Sequence, residues 1–428
     1  MNPVTIYHLI NCLTNYSSSI ADNLQRPSLA GPVSTVAKGD NSVCTTPSCV
    51  EAAYDFLRRM NRSADPCQDF YEYACGRFLA DNDIPDDLGY LSTTTEMLAT
   101  TQRQLRVVLE DPEKAETVSE NVVKSIYRHC MDIEADEKYG SKPVWEYMER
   151  LGGIPMLHPE WTVDSPNVPS LIDLLANLAR DGLHELFSIG PGEDDGNSSR
   201  PVLQIDEGSL GLQARDYYLN DDLYGPYQNA YLELWLTLVR LLAEDNGASV
   251  DDADIQKQVQ AAFEFEKRLA EIDWDRYLEI QLPADVVAAI NDQFPINSND
   301  PNFLVQLQKL IETTEDKTLY NYMFLRALES STKTLDERFY DADDILQRLL
   351  RGRTSEEPRW KRCLASASVL EIAVGKLYAN RYFREAERVE AARMVDLLQH
   401  EFELILEESD WMDAETKSKA KEKVVSCA

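Results

Sequence analysis

The sequence has no long apolar run, and its charges are unbalanced. A transmembrane helix needs about 20 consecutive, mostly apolar residues, and no stretch of this chain meets that requirement. Lys and Arg number 42 against 75 Asp and Glu, which gives a formal net charge of −33. Nucleic acids and anionic membranes repel so acidic a protein. We therefore predict no transmembrane segment in this chain and no nucleic-acid partner, and we interpret the scattered acidic residues as a solvated surface.

Histidine is scarce, and its spacing excludes the His-Glu-x-x-His zinc motif. In that motif two imidazoles on neighbouring turns of a helix bind zinc, and the glutamate acts as the base. His184 and His400 are each followed by Glu, but Ser188 and Leu404 stand where the second histidine belongs. We interpret both histidines as surface or boundary residues of amphipathic helices. The five histidines are His8, His129, His158, His184 and His400.

Other catalytic motifs are absent as well. The sequence contains no Gly-x-x-x-x-Gly-Lys, Gly-x-Gly-x-x-Gly or Gly-x-Ser-x-Gly, the patterns that bind phosphates or dinucleotides or present a nucleophilic serine. His129 and Cys130 could form half of a cysteine nucleophile arrangement, but we favour a helical cysteine that forms a disulfide. From the residues alone we predict no catalytic residue and no metal ligand.

Cysteines and glycosylation sequons indicate an oxidising compartment. No Cys-x-x-Cys pair occurs, and scattered disulfides suit a secreted or cell-surface protein. Sequons begin at Asn15, Asn61 and Asn197, and we take Asn61 and Asn197 as glycosylation candidates. The N-terminal residues fit either a weak signal peptide or a start downstream of a membrane anchor. The eight cysteines are Cys12, Cys44, Cys49, Cys67, Cys75, Cys130, Cys363 and Cys427.

The pattern of apolar residues predicts a mainly α fold. Residues 1–43 are polar and lack periodicity, so we predict a flexible leader. Apolar residues then recur at helical spacing over most of the chain. At 186–208 two short apolar runs flank a turn rich in Gly and Asp, which predicts a β-hairpin. The predicted helices cover 50–60, 91–110, 169–187, 226–245, 253–272, 303–313, 336–351, 366–380, 384–408 and 413–425.

Residues 44–85 carry a long and specific pattern, CTTPSCVEAAYDFLRRMNRSADPCQDFYEYACGRFLADNDIP. A close cysteine pair, then Asp-Pro-Cys-x-Asp-Phe-Tyr-x-Tyr-Ala-Cys-Gly and Ile-Pro, resembles the start of the extracellular region of the neprilysin and endothelin-converting-enzyme family of zinc metallopeptidases. Further segments resemble the family in its own order, namely LGLQARDYYLND at 210–221, RWKRCLASASVLEIAVGKLYANRYF at 359–383 and SDWMDAETKSKAKEKV at 409–424. The resemblance covers about residues 44–424 and concerns the N-terminal region of the family.

The resemblance implies two helical lobes around a water-filled cavity. We predict a large helical covering lobe with a small β-hairpin at 116–384. Segments at 44–115 and 385–428 would belong to an incomplete catalytic lobe. In full-length relatives zinc and a glutamate would activate water to attack a peptide bond. The covering lobe would exclude folded proteins, so small peptides are the expected ligands.

The resemblance also implies how the cysteines pair. In the family the close pair bonds to itself, which implies Cys44–Cys49. The helix cysteine before the hairpin bonds to the Trp-x-x-Cys helix, which implies Cys130–Cys363. The two cysteines of the opening motif bond to the C-terminal catalytic lobe, so Cys67 and Cys75 would lack their partners here. The alternatives are that these two pair with each other or that Cys12 and Cys427 serve as their partners.

The family pattern continues beyond this sequence, which ends in KVVSCA. Relatives go on to an Asn-Ala-Tyr/Phe-Tyr substrate segment, His-Glu-x-x-His and a downstream glutamate as third zinc ligand. We expect this chain to bind no zinc and to be inactive alone. Asn229-Ala230-Tyr231 precedes Leu232 in a leucine-rich helix, so we discount it as the substrate segment. Tyr90 stands where some relatives bind peptide carboxylates with an arginine, which puts that contribution in doubt.

Three hypotheses about function remain. The first is a truncated or partial product of a peptidase, inactive alone, whose partner would be the missing C-terminal catalytic lobe. The second is a non-catalytic secreted protein that binds peptides or a partner peptidase, which would need Cys67 and Cys75 paired. The third is a partial enzyme reconstituted with a separate C-terminal chain. Reactive thiols would favour truncation, and their absence would favour the self-sufficient binder.

Overall fold

The structure is a computed structural model of the 428-residue chain. It describes residues 44–194, 197–272, 296–298 and 301–426. The predicted leader at 1–43, which includes Cys12, lies outside the described residues, as does Cys427. Within the described ranges, no helix combines the length and the apolar character that crossing a membrane requires.

The described residues form mainly α-helices, as predicted, together with one small sheet. Short 3₁₀ helices lie at Pro155–Leu157, Thr332–Thr334 and Ser368–Leu370. The strands are β1 (Phe187–Asp194), β2 (Asn197–Glu207) and β3 (Ile296–Ser298). The helices are α1 (Pro47–Leu57), α2 (Phe70–Asp81), α3 (Thr93–Glu110), α4 (Val118–Met131), α5 (Ile133–Tyr139), α6 (Lys142–Arg150), α7 (Leu171–Arg180), α8 (Asp216–Leu219), α9 (Asp221–Asn246), α10 (Asp252–Ala270), α11 (Pro301–Glu312), α12 (Asp316–Ser331), α13 (Glu337–Arg351), α14 (Arg359–Ala367), α15 (Glu371–Tyr382), α16 (Glu385–Glu408) and α17 (Ala414–Ser426).

Polar caps and a glycine fix several helix ends. Ser170 caps α7, because its hydroxyl accepts the backbone N–H of Asp173 at 3.2 Å. At α4 the side chains of Thr117 and Glu120 each accept the other's backbone N–H, at 3.3 and 2.8 Å, which is a capping box. α9 ends at Gly247, whose φ of 67° lies in the left-handed region that glycine adopts without strain.

Most predicted helices are shifted by a few residues at an end, and two differ from the structure more strongly. The helix predicted at 169–187 is too long, because α7 ends at Arg180 and Gly182 follows with a φ of 84°. A left-handed residue stops helical hydrogen bonding, and the chain enters β1 at Phe187. The helix predicted at 366–380 is divided instead, since α14 ends at Ala367 and α15 begins only at Glu371.

The sheet consists of the predicted hairpin and one additional strand. β1 and β2 pair antiparallel, with Phe187 opposite Glu207 and Ile189 opposite Ile205. β3 lies on the other side of β2 and pairs parallel to it, with Ile296 opposite Leu203. β3 was not predicted, because three residues are too few to show a strand period.

The main core is built from buried side chains of the elements from α6 through α13. Its longest helices pack in pairs, α9 against α13 and α10 against α12. α12 is central, since every residue from Leu319 to Leu328 is buried. A helix that is buried on all sides has no polar face and therefore no amphipathic period. For this reason the helix at Asp316–Ser331 was not predicted from the apolar period of the sequence.

A single guanidinium lies inside the main core among three carboxylates. Arg326 on α12 is only 8% exposed, and its Nε donates to Glu185 Oε2 at 3.0 Å. Its Nη1 donates to Glu329 Oε2 at 2.9 Å, and its Nε lies 3.7 Å from Glu266 Oε1. Burial raises the pKa of Glu185 and of Glu266 above the ordinary value of 4.5. The charge of Arg326 acts in the opposite direction on both groups and favours their ionised form.

Aromatic side chains from three helices complete the hydrogen bonds of these carboxylates. Tyr218 and Tyr322 donate to the two oxygens of Glu266 at 3.0 and 3.1 Å. Tyr231 donates to Glu329 Oε2 at 3.0 Å. Burial raises the pKa of all three tyrosines well above 10, so their hydroxyls remain donors. The buried charges are stabilised because they are paired and hydrogen-bonded at once.

The same cluster explains the segment at 210–221. The backbone N–H of Gly211 donates to Glu266 Oε1 at 3.0 Å, and Leu212 donates its own to the Tyr218 hydroxyl at 2.9 Å. A Cβ on Gly211 would lie 1.7 Å from the hydroxyl oxygen of Tyr231, so no larger residue fits there. This segment therefore has a structural role, which is to close the buried ion cluster.

A second, smaller core joins α3, α4, α14 and α15. Its buried residues include Leu109, Val123 and Leu364. Tyr127 donates to Glu110 Oε1 at 3.0 Å, and burial raises its pKa to about 12. The two cores are separate clusters of buried residues. The predicted lobe boundaries at 115 and 384 remain a prediction.

We expect Arg326→Met to destabilise the fold by about 3–5 kcal/mol, because it leaves buried carboxylates without their cation. Glu185→Gln is the matched control. It removes one negative charge from an acidic cluster but keeps an oxygen that Arg326 can donate to, so it should cost clearly less. Urea unfolding followed by circular dichroism measures both. Equal losses for the two variants would show that the charge balance of the cluster is unimportant.

The wild type and Glu185→Gln also test the direction of the Glu185 pKa shift. A carboxyl whose pKa is higher in the folded state binds protons on folding, so its contribution is full below pH 4.5 and is lost as the pH rises through the folded pKa. The stability of the wild type relative to Glu185→Gln should therefore fall as the pH rises above 4.5. A difference that is independent of pH contradicts the raised pKa.

Candidate functional site

The described histidines lie on different elements, and two of them have local hydrogen-bond partners. His129 on α4 contacts the carbonyl of Ser125 at 2.7 Å through Nδ1, and His158 contacts Glu149 Oε1 at 2.7 Å through Nε2. His184 precedes β1, and His400 lies on α16. In the part of the chain that the structure describes, no three His, Cys, Asp or Glu side chains form a group that could hold a metal ion.

The opening motif builds a turn and a helix start. The carboxylate of Asp65 accepts the backbone N–H of Cys67 at 2.9 Å, and that of Asp69 accepts the N–H of Glu72 at 2.8 Å as the N-cap of α2. The backbone of Asn61 donates to the carbonyl of Tyr73 at 2.9 Å, so the chain between α1 and α2 lies along α2. The acidic residues of the motif thus set the local backbone.

Two cysteines of this motif are free thiols. Cys67 is exposed and Cys75 is half-buried on α2. The other described cysteines form the two disulfides that the resemblance implies, Cys44–Cys49 and Cys130–Cys363. The glycosylation candidates lie on the loop after α1, for Asn61, and at the first residue of β2, for Asn197.

The terminal helices expose large apolar side chains. α1 has no buried residue, and Phe70 at the start of α2 is 68% exposed. On α16 only Leu406 is buried, while Ile405 and the following Trp411 are 62% and 77% exposed. Exposed apolar side chains grouped on helices are typical of surfaces that pack against another body of protein. These helices carry the same kind of exposed apolar face at both ends of the described chain.

The segment after α2 is attached to the loop after α13. The backbone amides of Thr354 and Ser355 both donate to the carbonyl of Asp86 at 3.0 Å, and Lys361 forms an ion pair with Asp87. A Cβ on Gly89 would lie 1.6 Å from the carbonyl oxygen of Arg351, so this close approach requires glycine. Tyr90 follows directly and is 67% exposed.

A polar junction surrounds the disulfide between Cys130 and Cys363. Arg359 donates to the carbonyl of Cys130 at 2.9 Å and also pairs with Asp136 and Glu337. It therefore ties α14 to α4, α5 and α13 at one point. The disulfide cysteines were predicted, but a role for this arginine was not, although RWKRC places it four residues before Cys363.

Comparison with known proteins identifies the family. The sequence profile described as peptidase family M13, in its N-terminal part, matches residues 66–276 and 270–427. The chain belongs to peptidase family M13. Neprilysin-11 of Caenorhabditis elegans is 32% identical over 92% of this chain and 50% of its own length. Human endothelin-converting enzyme 1 is 30% identical over 89% of this chain and 52% of its own length.

Solved structures share the M13 fold. A Mycobacterium tuberculosis zinc metalloprotease, ZMP1, in complex with an inhibitor superposes with a TM-score of 0.67 at 21% identity, over 86% of this chain and 57% of the other. PepO of Lactobacillus rhamnosis has a TM-score of 0.64 at 18% identity, over 85% and 59%. The predicted relation to neprilysin and endothelin-converting enzymes is confirmed. The chain spans about half the length of the curated relatives it matches.

We expect Cys67 and Cys75 to react with N-ethylmaleimide in the native protein, Cys67 faster because it is more exposed. Peptide mapping by mass spectrometry should find the four disulfide cysteines labelled only after reduction. The control is Cys67→Ser, which should leave labelling of Cys75 unchanged. Recovery of a peptide pair linked through Cys67 and Cys75 would contradict the arrangement in the structure.

Removing the disulfide between Cys130 and Cys363 should destabilise the fold by about 3–5 kcal/mol, because it closes a long loop of the unfolded chain. The two cysteines are separated by 233 residues, whereas Cys44 and Cys49 are separated by 5. The paired alanine variants of each disulfide can be compared by urea unfolding. The short-loop variant should lose clearly less stability, and the reverse order would overturn the assignment.

Proposed function

We propose that the chain supplies the helical covering lobe and part of the catalytic lobe of an M13 zinc metalloendopeptidase that cleaves small extracellular peptides. The observation that carries the proposal is the pair of exposed apolar faces on α1–α2 and on α16. Membership of family M13 suggests that these faces are covered by another part of the family fold. In this proposal the two apolar faces pack against the part of the family fold that lies outside the half of the relatives matched by this chain. The thiols of Cys67 and Cys75 would form disulfides with that part.

Zinc does not fit the described residues of this chain. A catalytic zinc site needs three protein ligands around one small cavity. The four described histidines lie on different elements, and no group of three His, Cys, Asp or Glu side chains among the described residues could hold a metal ion. In this proposal none of the residues that the structure describes takes part in the chemical step. We propose that the chain alone holds no zinc and hydrolyses no peptide, and that its role is to shape access to a site whose ligands come from elsewhere.

An extracellular or cell-surface location belongs to the same proposal. Two disulfides support it, since such bonds persist outside the reducing cytosol. The net charge of −33 supports a partner that is neither nucleic acid nor an anionic membrane. Curated relatives include proteins named membrane metallo-endopeptidase-like 1 in mouse and human.

Activity and surface exposure can be measured together. The whole chain, incubated with zinc, should not cleave a quenched fluorescent peptide above background, with human endothelin-converting enzyme 1 as the positive control. It should bind the dye ANS through its apolar helices. Phe70→Glu and Trp411→Glu should each reduce the dye signal, because both side chains are largely exposed. Ile172→Glu is the matched control, since Ile172 is 79% exposed but lies on α7 and not on a terminal helix. This variant should leave the dye signal unchanged.

The second candidate is a non-catalytic secreted protein that binds peptides or a partner peptidase. Exposed apolar side chains on α1 and α16 are compatible with it. Calorimetric titration with small peptides separates the two proposals. Peptide binding without hydrolysis, combined with weak dye binding, favours the binding protein and contradicts the lobe proposal. Strong dye binding that both glutamate variants reduce, without peptide binding, supports the lobe proposal.

A further inference from the structure

The loop between α1 and α2 presents a complete glycosylation sequon on a turn. Asn61 is half-buried, while Arg62 and Ser63 are exposed. The Ser63 hydroxyl donates to Asn61 Oδ1 at 2.6 Å, and the Ser63 backbone N–H contacts the same oxygen at 3.2 Å. This is an Asx turn, which holds the asparagine amide and the hydroxyl side by side.

A groove of about 600 Å³ opens beside this turn. One of its walls is the carboxylate of Glu72, which accepts a hydrogen bond from Asn61 Nδ2 at 2.7 Å. This carboxylate folds over Gly76, where a Cβ would lie 2.2 Å from Glu72 Oε1. Glycine therefore lets Glu72 reach Asn61 and keeps the groove open. The groove is also lined by Leu57, Met60, Arg77 and Ala80.

We propose that Asn61 carries an N-linked glycan and that the first sugar of this glycan lies in the groove. Nδ2 attacks the anomeric carbon of an oligosaccharide carried on a polyprenyl diphosphate. The carbon–nitrogen bond forms, and the bond from that carbon to the diphosphate oxygen breaks, so the polyprenyl diphosphate leaves. A base of the glycosyltransferase that catalyses the step takes up the proton that the amide loses. The second N–H of the amide remains, so it can still donate to Glu72. The sugar links the turn to α2.

The lining suits a pyranose ring. Glu72 can accept hydrogen bonds from sugar hydroxyls, and the guanidinium of Arg77, whose Nε already donates to Asp81 Oδ2 at 3.0 Å, carries further N–H donors. Leu57 and Met60 offer apolar surface to the C–H face of the ring. The volume of the groove lies within the range of small-ligand sites, roughly 300–1,000 Å³. The two disulfides place folding in an oxidising compartment, the kind of compartment in which glycoproteins with such sequons are found.

Occupancy is tested on the whole chain secreted from glycosylating eukaryotic cells, by glycopeptide mass spectrometry. The peptide that contains Asn61 should carry the glycan in the wild type. Ser63→Ala should abolish it and lower the mass by one glycan, and Ser63→Thr should retain it. Ser199→Ala, which removes the sequon at Asn197, should leave the Asn61 peptide unchanged. Recovery of the Asn61 peptide without sugar in the wild type overturns the proposal.

The place of the first sugar is tested after an endoglycosidase has trimmed the glycan to a single residue. Phenylglyoxal should then modify Arg77 several-fold more slowly than in unglycosylated Ser63→Ala protein, because the sugar covers the groove. Arg103 on α3 is the control, since it is exposed and does not line the groove, and its rate should be the same in both proteins. Equal rates at Arg77 would show that the sugar points into solvent.

Discussion

The Arg326 guanidinium, buried among three carboxylates, is the constraint on which the main core depends. Buried charges cost several kcal/mol unless each is paired and hydrogen-bonded, so the neighbours of this arginine have little freedom. Glu266 on α10 and Glu329 on α12 take their remaining hydrogen bonds from tyrosines of α8, α9 and α12. Because Gly211 completes the set with a backbone amide, the geometry of one side chain fixes residues on helices and on a loop.

Sequence periodicity predicted most of the long helices, gave no bounds for α2, α4, α5 and α6, and missed parts that depend on tertiary contacts. Ser170 and Gly247 mark helix ends by local chemistry, so both were predictable. α12 could not be predicted in this way, because its sides are all buried and its sequence has no polar face. β3 exists only because β2 offers hydrogen bonds to three residues. The helix predicted through 187 overlooked the stop at Gly182, a residue whose φ the sequence does not show.

The candidate site was predictable where a family motif carries it and not elsewhere. Cys44, Cys49, Cys130 and Cys363 form the pairs that the resemblance implies. Spacing alone could not have assigned those pairs, since they are separated by 5 and 233 residues. The polar junction around Arg359 was not predicted, because its partners come from helices that only the fold brings together. The acidic residues of the opening motif prove to be local caps.

The disulfide between α4 and α14 has a consequence for how such a chain can evolve. The two ends of the 233-residue segment between Cys130 and Cys363 lie side by side, with Cα atoms 5.4 Å apart. A segment that enters and leaves at one point can be lengthened, shortened or exchanged without moving the helices that flank it. The segment that contains the main core therefore begins and ends at this disulfide, and it makes further contacts with the flanking chain where Thr354 and Ser355 donate to Asp86. A change of length in one of its surface loops need not displace the helices on either side of the disulfide.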